Sequence, residues 1–132
     1  MCESKNEISQ FLTDYFEKQS LFDGESLMAF WHPGGMLHLV GNRNVFRVLS
    51  IEDHVGHIKK VNEKMPDLKV EFVLDEIEQI LVHEDLIASA HVRYRMLFDE
   101  GYGRHRCFFS LTKVEGKWGF VNTVDRGFEV LE

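Results

Sequence analysis

The spacing of apolar residues changes along this chain, from a helical period before about residue 64 to a strand period after it. A period near 3.6 residues places side chains on one face of a helix, whereas a period of 2 places them on one face of a strand. Helical segments followed by a run of strands are typical of an α+β fold, in which helices pack against a largely antiparallel sheet. We therefore predict that class.

The first predicted helix carries a single apolar stripe. Its members recur at i, i+3, i+4, i+7 and i+8: Ile8, Phe11, Leu12, Tyr15 and Phe16. Ser4 or Asn6 is expected to cap this helix, because short polar side chains accept hydrogen bonds from its first free backbone N–H groups.

Two further helices are predicted before residue 67. The second runs from Asp23 through Trp31 and ends at residues 32–35, His-Pro-Gly-Gly, because proline and glycine prevent its continuation. The third begins at residues 50–53, where Ser50 resembles an N-cap residue. It ends at residues 65–67.

Strands are predicted on both sides of the third helix. Two short ones cover residues 36–40 and 45–49, and three long ones follow residue 68, with turns at residues 83–85 and 115–117. The alternation of apolar side chains in the first long strand slips near residue 75, which predicts a bulge or bend that lets the sheet curl.

Size and charge narrow the possible functions. The 132 residues fit one domain, spanning 1–132. The formal charge of −7 is the opposite of what a nucleic-acid surface needs, so no nucleic-acid partner is expected. No apolar run approaches the roughly 20 residues of a membrane span, so no membrane association is expected. Cys2 lies in a predicted frayed terminus and Cys107 in a strand, which favours free thiols and a reducing, cytoplasmic location.

Three stretches resemble the nuclear transport factor 2-like superfamily. They are residues 15–16 (Tyr-Phe), 30–33 (Phe-Trp-His-Pro) and 116–122 (Gly-Lys-Trp-Gly-Phe-Val-Asn). Within that superfamily the chain is most similar to the lumazine-binding (polyketide-cyclase-like) family, over nearly its whole length. The resemblance implies a cone-shaped α+β fold, with about three N-terminal helices packed on a curved mixed or antiparallel sheet. One pocket serves isomerases, dehydratases, hydrolases and carriers there, so the fold by itself names no function.

Strand parity decides which side chains of the last hairpin face the pocket. A three-residue turn with Gly116 in the left-handed conformation would keep odd positions opposite odd ones. The inward set is then His105, Cys107, Phe109, Leu111, Val121, Thr123 and Asp125. This choice leaves Arg104 and Arg106 in water, where their charges need no buried partner.

The outward face of the same sheet is expected to form an interface. It would present Phe108, Trp118 and Phe120 beside Arg93 and Arg95. Exposed apolar patches of this kind usually mark interaction sites. Members of the superfamily commonly dimerise through this face, so we expect a homodimer formed through these residues.

Asp125 is the leading candidate for chemistry. By resemblance, it lies where polyketide cyclases carry a last-strand aspartate that acts as general acid/base. The predicted register places His105 directly or nearly opposite, and a carboxylate beside an imidazole can move a proton near neutral pH. Alternatively, Asp125 lies near the strand's end and pairs with Arg104, Arg126 or solvent.

Other side chains are predicted to line the pocket and bind a ligand. They are Tyr15, Trp31, His38, His54, Tyr94, Phe98, Cys107, Phe109 and Thr123. The histidines follow no metal-binding spacing, and no glycine-rich phosphate loop or dinucleotide fingerprint occurs, so neither metal nor cofactor is expected.

Three functions remain open. The first is a protein that binds a small apolar or aromatic molecule without turnover. The second is a cofactor-independent lyase, isomerase or hydrolase that uses Asp125 and a pocket histidine as acid/base. The third is an interaction domain whose cone is filled by side chains. We favour the first, because two complete acid/base constellations cannot be assembled from these residues.

Overall fold

The structure is a computed structural model that describes residues 2–20, 23–41, 46–98 and 101–131, without the side chains of residues 2 and 128–131. Its elements, in chain order, are α1 (Cys2–Gln19), α2 (Gly24–Met28), β1 (Trp31–Val40), β2 (Phe46–Ser50), α3 (Ile51–Lys64), β3 (Glu71–His83), β4 (Ile87–Phe98), β5 (Gly101–Val114) and β6 (Lys117–Leu131). The predicted α+β class is confirmed for the described residues. The predicted turn at 42–44, the Val45 strand start and the side chain of Cys2 lie outside the described part.

The strands form one six-stranded mixed sheet in the order β2-β1-β6-β5-β4-β3. Neighbouring strands are antiparallel except for β1 and β6, which are parallel. β1 and β6 are far apart in sequence, which suits a parallel pair because it needs a long connection. The register of β3 against β4 shifts between Leu74 and Glu76, so the bulge predicted near residue 75 is confirmed.

Four long strands follow α3, not the three that were predicted. β4 pairs with β5 along its whole length, from Ile87 opposite Thr112 to Phe98 opposite Gly101. Apolar residues alternate on both sides of this reversal, so the pattern alone does not mark where the chain turns back.

Two helix boundaries also differ from the predictions. α1 begins at Cys2, so neither Ser4 nor Asn6 caps it; Ser4 is buried and donates a hydrogen bond to Asp85 Oδ1 at 2.7 Å. α2 ends at Met28, before the predicted end at Trp31. Trp31 belongs to β1 instead, because it pairs with Phe120 of β6. The predicted Ser50 cap is confirmed, since its side chain accepts a hydrogen bond from the Asp53 N–H at 3.1 Å.

The last hairpin turns through two residues instead of three. Glu115 and Gly116 both have positive φ, 51° and 79°, as a type I′ turn requires. Val114 therefore pairs with Lys117, an even position with an odd one. A register shift between Ser110 and Leu111 adds one residue on the β6 side, and from Phe109 to His105 odd positions then oppose odd ones, as the three-residue turn would have required.

The two-residue turn and the register shift together decide which β6 side chains face the interior of the protein. Phe120 is fully buried and Trp118 is 9% exposed, so their predicted place on the outward face is wrong. Val121, predicted to face inward, is the extra residue that the register shift leaves without a partner on β5. Beyond the bulge, Thr123 is buried and Asp125 lines a cavity, as the predicted inward set requires.

Candidate functional site

A cavity of about 540 Å³ lies between the inner face of the sheet and helices α1 and α3. Its walls are mostly apolar, with Phe16, Leu37, Val61, Phe72, Met96 and Phe109 among them. A volume of this size, with few polar groups, is typical of small-molecule sites.

All but one of the side chains predicted to bind a ligand line this cavity. They are Tyr15, Trp31, His54, Tyr94, Phe98, Cys107, Phe109 and Thr123, together with the proposed acid/base pair His105 and Asp125. The sequence and the sheet register thus bring the predicted candidates from α1, α3 and four strands to one space.

His38 is the exception, and its predicted place in the pocket is wrong. Its neighbours Leu37 and Leu39 line the cavity, so alternation along β1 directs His38 to the other face. There its Nδ1 lies 3.0 Å from the carbonyl oxygen of Thr123, and its ring stacks on Phe46.

Tyr94, His105 and Asp125 form a polar cluster on the sheet side of the cavity. The Tyr94 hydroxyl donates a hydrogen bond to Asp125 Oδ2, and His105 Nδ1 lies 2.9 Å from Asp125 Oδ1. The rings of Tyr94 and His105 stack, with centroids 4.7 Å apart. Both oxygens of Asp125 are therefore engaged inside the cavity, and its side chain is only 18% exposed.

Glycine at position 127 makes the contact between His105 and Asp125 possible. In the sheet register Asp125 lies opposite Cys107, and His105 lies opposite Gly127. The imidazole thus reaches Asp125 from the neighbouring position. A Cβ atom on residue 127 would lie 2.9 Å from the His105 ring, closer than a real side chain tolerates.

Burial keeps several cavity groups uncharged. It raises the pKa of Tyr94 well above its ordinary value, and the negative charge of Asp125 raises it further. Burial and Asp125 raise the pKa of Cys107 in the same way, so the thiol stays protonated and is a poor nucleophile. Burial, with His57 as the second cause, lowers the pKa of His54, so its imidazole is mainly neutral at pH 7.

Arg47, His57 and Gln19 also line the cavity, and none was singled out in the sequence. Arg47 lies opposite Leu39 in the β1–β2 pair, which turns its side chain to the inner face. The feature that could have identified Arg47 as a cavity residue is the pairing register of β1 with β2. It depends on the connecting turn, which composition alone does not specify.

No three His, Cys, Asp or Glu side chains within the described part of the chain are grouped so as to hold a metal ion. None of its helices is both long and apolar enough to cross a membrane.

A protein-family model described as "Putative lumazine-binding" matches residues 3–124. The chain belongs to this family. The resemblance seen in the sequence is thereby confirmed. The match ends one residue before Asp125. No curated protein matches the chain.

Similar solved structures place this member of the lumazine-binding family in the nuclear transport factor 2-like fold. An NTF2-like protein of unknown function from Shewanella baltica is 24% identical, with a TM-score of 0.69, covering 96% of this chain and 94% of that one. Another from Pseudomonas putida is 15% identical, with a TM-score of 0.71 and coverage of 96% and 87%. The yeast UBP3-associated protein BRE5 is 16% identical, with a TM-score of 0.69 and coverage of 91% and 92%. At these identities the likeness shows the fold alone.

Proposed function

We propose that this protein binds a small apolar or aromatic molecule in the cavity between α1, α3 and the sheet. The observation that carries the proposal is the cavity of about 540 Å³, with aromatic walls and one polar cluster. Apolar walls supply affinity, and a few fixed polar groups orient the ligand. Membership of the lumazine-binding family supports a binding role without naming the ligand.

Narrowing the cavity should weaken binding. Val61 lines it from α3, so Val61→Trp places an indole in the space that a ligand would occupy. We expect the affinity for the uncharged fluorophore N-phenyl-1-naphthylamine to fall at least about tenfold, or roughly 1.4 kcal/mol. Fluorescence titration measures it.

Val114→Trp is the matched control, because Val114 is 51% exposed, ends β5 beside the last hairpin turn and does not line the cavity. It should leave the affinity unchanged. If both variants bind as well as the parent protein, the fluorophore does not occupy this cavity.

A second candidate, acid/base catalysis, is favoured by the hydrogen bonds at Asp125. If a neutral His105 donates its Nδ1–H to Asp125, its Nε2 carries no proton and can accept one from a bound molecule. Asp125 would then position His105 instead of reacting itself, because Tyr94 and His105 already occupy both carboxylate oxygens. Substitution of Asp125 tests this candidate.

We also propose that the outer face of the sheet pairs with a second copy of the chain. One lateral row of register partners crosses five strands on this face: Val48, His38, Val124, Phe108 and His91. Its members Val48, Val124 and Phe108 are 45%, 37% and 44% exposed, which is unusual for apolar side chains in a continuous row.

The charges beside this row are balanced. Ion pairs join Arg93 to Glu76, Arg95 to Asp75, and Arg106 to Glu78. In a chain of net charge −7, a neutral face is where two copies meet with least repulsion. Phe108, Arg93 and Arg95 keep their predicted place in the proposed interface, which loses the buried Trp118 and Phe120 and includes Val124 and Val48.

A charge placed in the row should separate the two copies. We expect the unmodified protein to have a dimeric mass by light scattering at micromolar concentration, and Phe108→Glu to have a monomeric one, because the carboxylate would be desolvated between the sheets. Met65→Glu is the control, since Met65 is 50% exposed but follows α3, away from this face. A monomeric mass for the unmodified protein contradicts the proposal.

A further inference from the structure

We propose that the ligand of this cavity is an aromatic anion whose carboxylate, or comparable acidic group, binds Arg47. The inference rests on the proposed binding function and adds the chemical class of the ligand. It follows from the placement of Arg47 relative to Asp125 and from the distribution of charge around the cavity.

Arg47, Leu39 and Asp125 lie side by side on the inner face of the sheet. Leu39 of β1 is the register partner of Arg47 on one side and of Asp125 on the other. Two strand spacings, about 10 Å between Cα atoms, therefore separate the two charged residues. Leu39 forms an apolar floor between them, and a bicyclic aromatic molecule lying on it reaches a polar group at each end.

The cavity does not share the acidic excess of the chain. The protein has 22 acidic and 15 basic residues, yet Asp125 is the only carboxylate among the described cavity-lining side chains. Arg47 and three histidines, His54, His57 and His105, also line it. Burial lowers the pKa of His54, so Arg47 supplies the permanent positive charge.

Arg47 has no acidic partner among the residues that the structure describes. Asp125 does not serve it, because Tyr94 and His105 engage that carboxylate two strands away. An arginine at the edge of an apolar cavity attracts an anion that brings its own apolar body, since charge-assisted pairing then adds to burial. Solvation of Arg47 by water alone is the competing account, and it predicts no preference for anions.

Two fluorophores that differ by one acidic group distinguish anion binding at Arg47 from solvation of Arg47 by water alone. 8-Anilinonaphthalene-1-sulfonate is the sulfonated form of N-phenyl-1-naphthylamine, so their affinities report the contribution of the anion. We expect the sulfonate to bind more tightly, and Arg47→Gln to weaken its binding about two- to fivefold, in the range of a single solvent-exposed ion pair. Binding of the uncharged fluorophore should not change.

Three variants serve as controls. Arg47→Lys keeps the charge and should retain most of the preference for the sulfonate. Arg126→Gln removes the same charge from an exposed position outside the cavity lining, so it should change neither affinity. Val61→Trp should weaken the binding of both fluorophores at least about tenfold; sulfonate binding that keeps its full affinity in this variant comes from another surface and counts against the proposal.

The failure of this inference can be distinguished from the failure of the binding function. If the uncharged fluorophore binds but the sulfonate binds no more tightly, or Arg47→Gln acts no differently from Arg126→Gln, the ligand class is wrong and the binding site stands. If neither fluorophore binds, both proposals are overturned. Tighter sulfonate binding that falls with added salt only while Arg47 is present supports the anion site.

Discussion

Replacement of Phe120 by alanine is expected to lower the free energy of unfolding by about 4 kcal/mol, near the upper end for one core substitution. Phe120 is fully buried, and its ring centroid lies 4.5 Å from that of Phe109, 4.7 Å from Tyr15 and 5.0 Å from Phe11. These partners are held by α1 and β5, so they cannot collapse into the space that the ring leaves.

Urea unfolding at several protein concentrations measures this loss and separates it from dissociation of a dimer. Phe108→Ala is the matched control, because Phe108 is on the outer face and 44% exposed. It should cost less than about 1 kcal/mol once dissociation is accounted for. Equal losses in the two variants would contradict the inward placement of Phe120.

The second large effect is expected at the cluster of Tyr94, His105 and Asp125. Asp125→Ala should destabilise the protein by about 2–3 kcal/mol, because the buried Tyr94 hydroxyl loses its acceptor. Tyr94→Phe should cost about 1–2 kcal/mol, and the double variant should cost less than the sum by a similar amount. The high pKa of Tyr94 keeps this hydroxyl a donor throughout the neutral range.

Unfolding measurements on the unmodified protein, Asp125→Ala, Tyr94→Phe and the double variant give the coupling energy between Tyr94 and Asp125. Asp75→Ala serves as the control, since it breaks the more exposed pair with Arg95, and it should cost about 1 kcal/mol or less. Side-chain ¹⁵N NMR reports the tautomer of His105, which should lose its preference for Nδ1–H in Asp125→Ala. Additive losses would refute the Tyr94–Asp125 coupling, and an unchanged tautomer would refute the positioning of His105 by Asp125.

Most of the secondary structure could be predicted because its signals are local. The stripe on α1, the Ser50 cap of α3 and the slip near residue 75 each depend on a few adjacent residues. The cavity side chains Tyr15, Tyr94 and Phe109 were likewise found from the period of their own helix or strand.

The face on which a side chain lies could not be predicted in the same way where it depends on the register between two strands. The expected three-residue turn was wrong, and Trp118 and Phe120 were consequently assigned to the outer face. The bulge in β6 is a second one-residue shift, which cancels the shift made by the two-residue turn. Phe109 therefore pairs with Thr123 and Cys107 with Asp125, as the three-residue turn would have required, and Thr123 and Asp125 face inward as expected.

The sequence by itself determined the α+β class, the apolar faces of the helices and the candidates Asp125 and His105. Only the tertiary structure decided that His38 turns away, that Arg47 enters the cavity, and that Tyr94 completes the cluster at Asp125. The physical reason is that alternation fixes which side chains share a face within one strand. Turns and bulges set the register between strands, and a one-residue difference there exchanges the two faces.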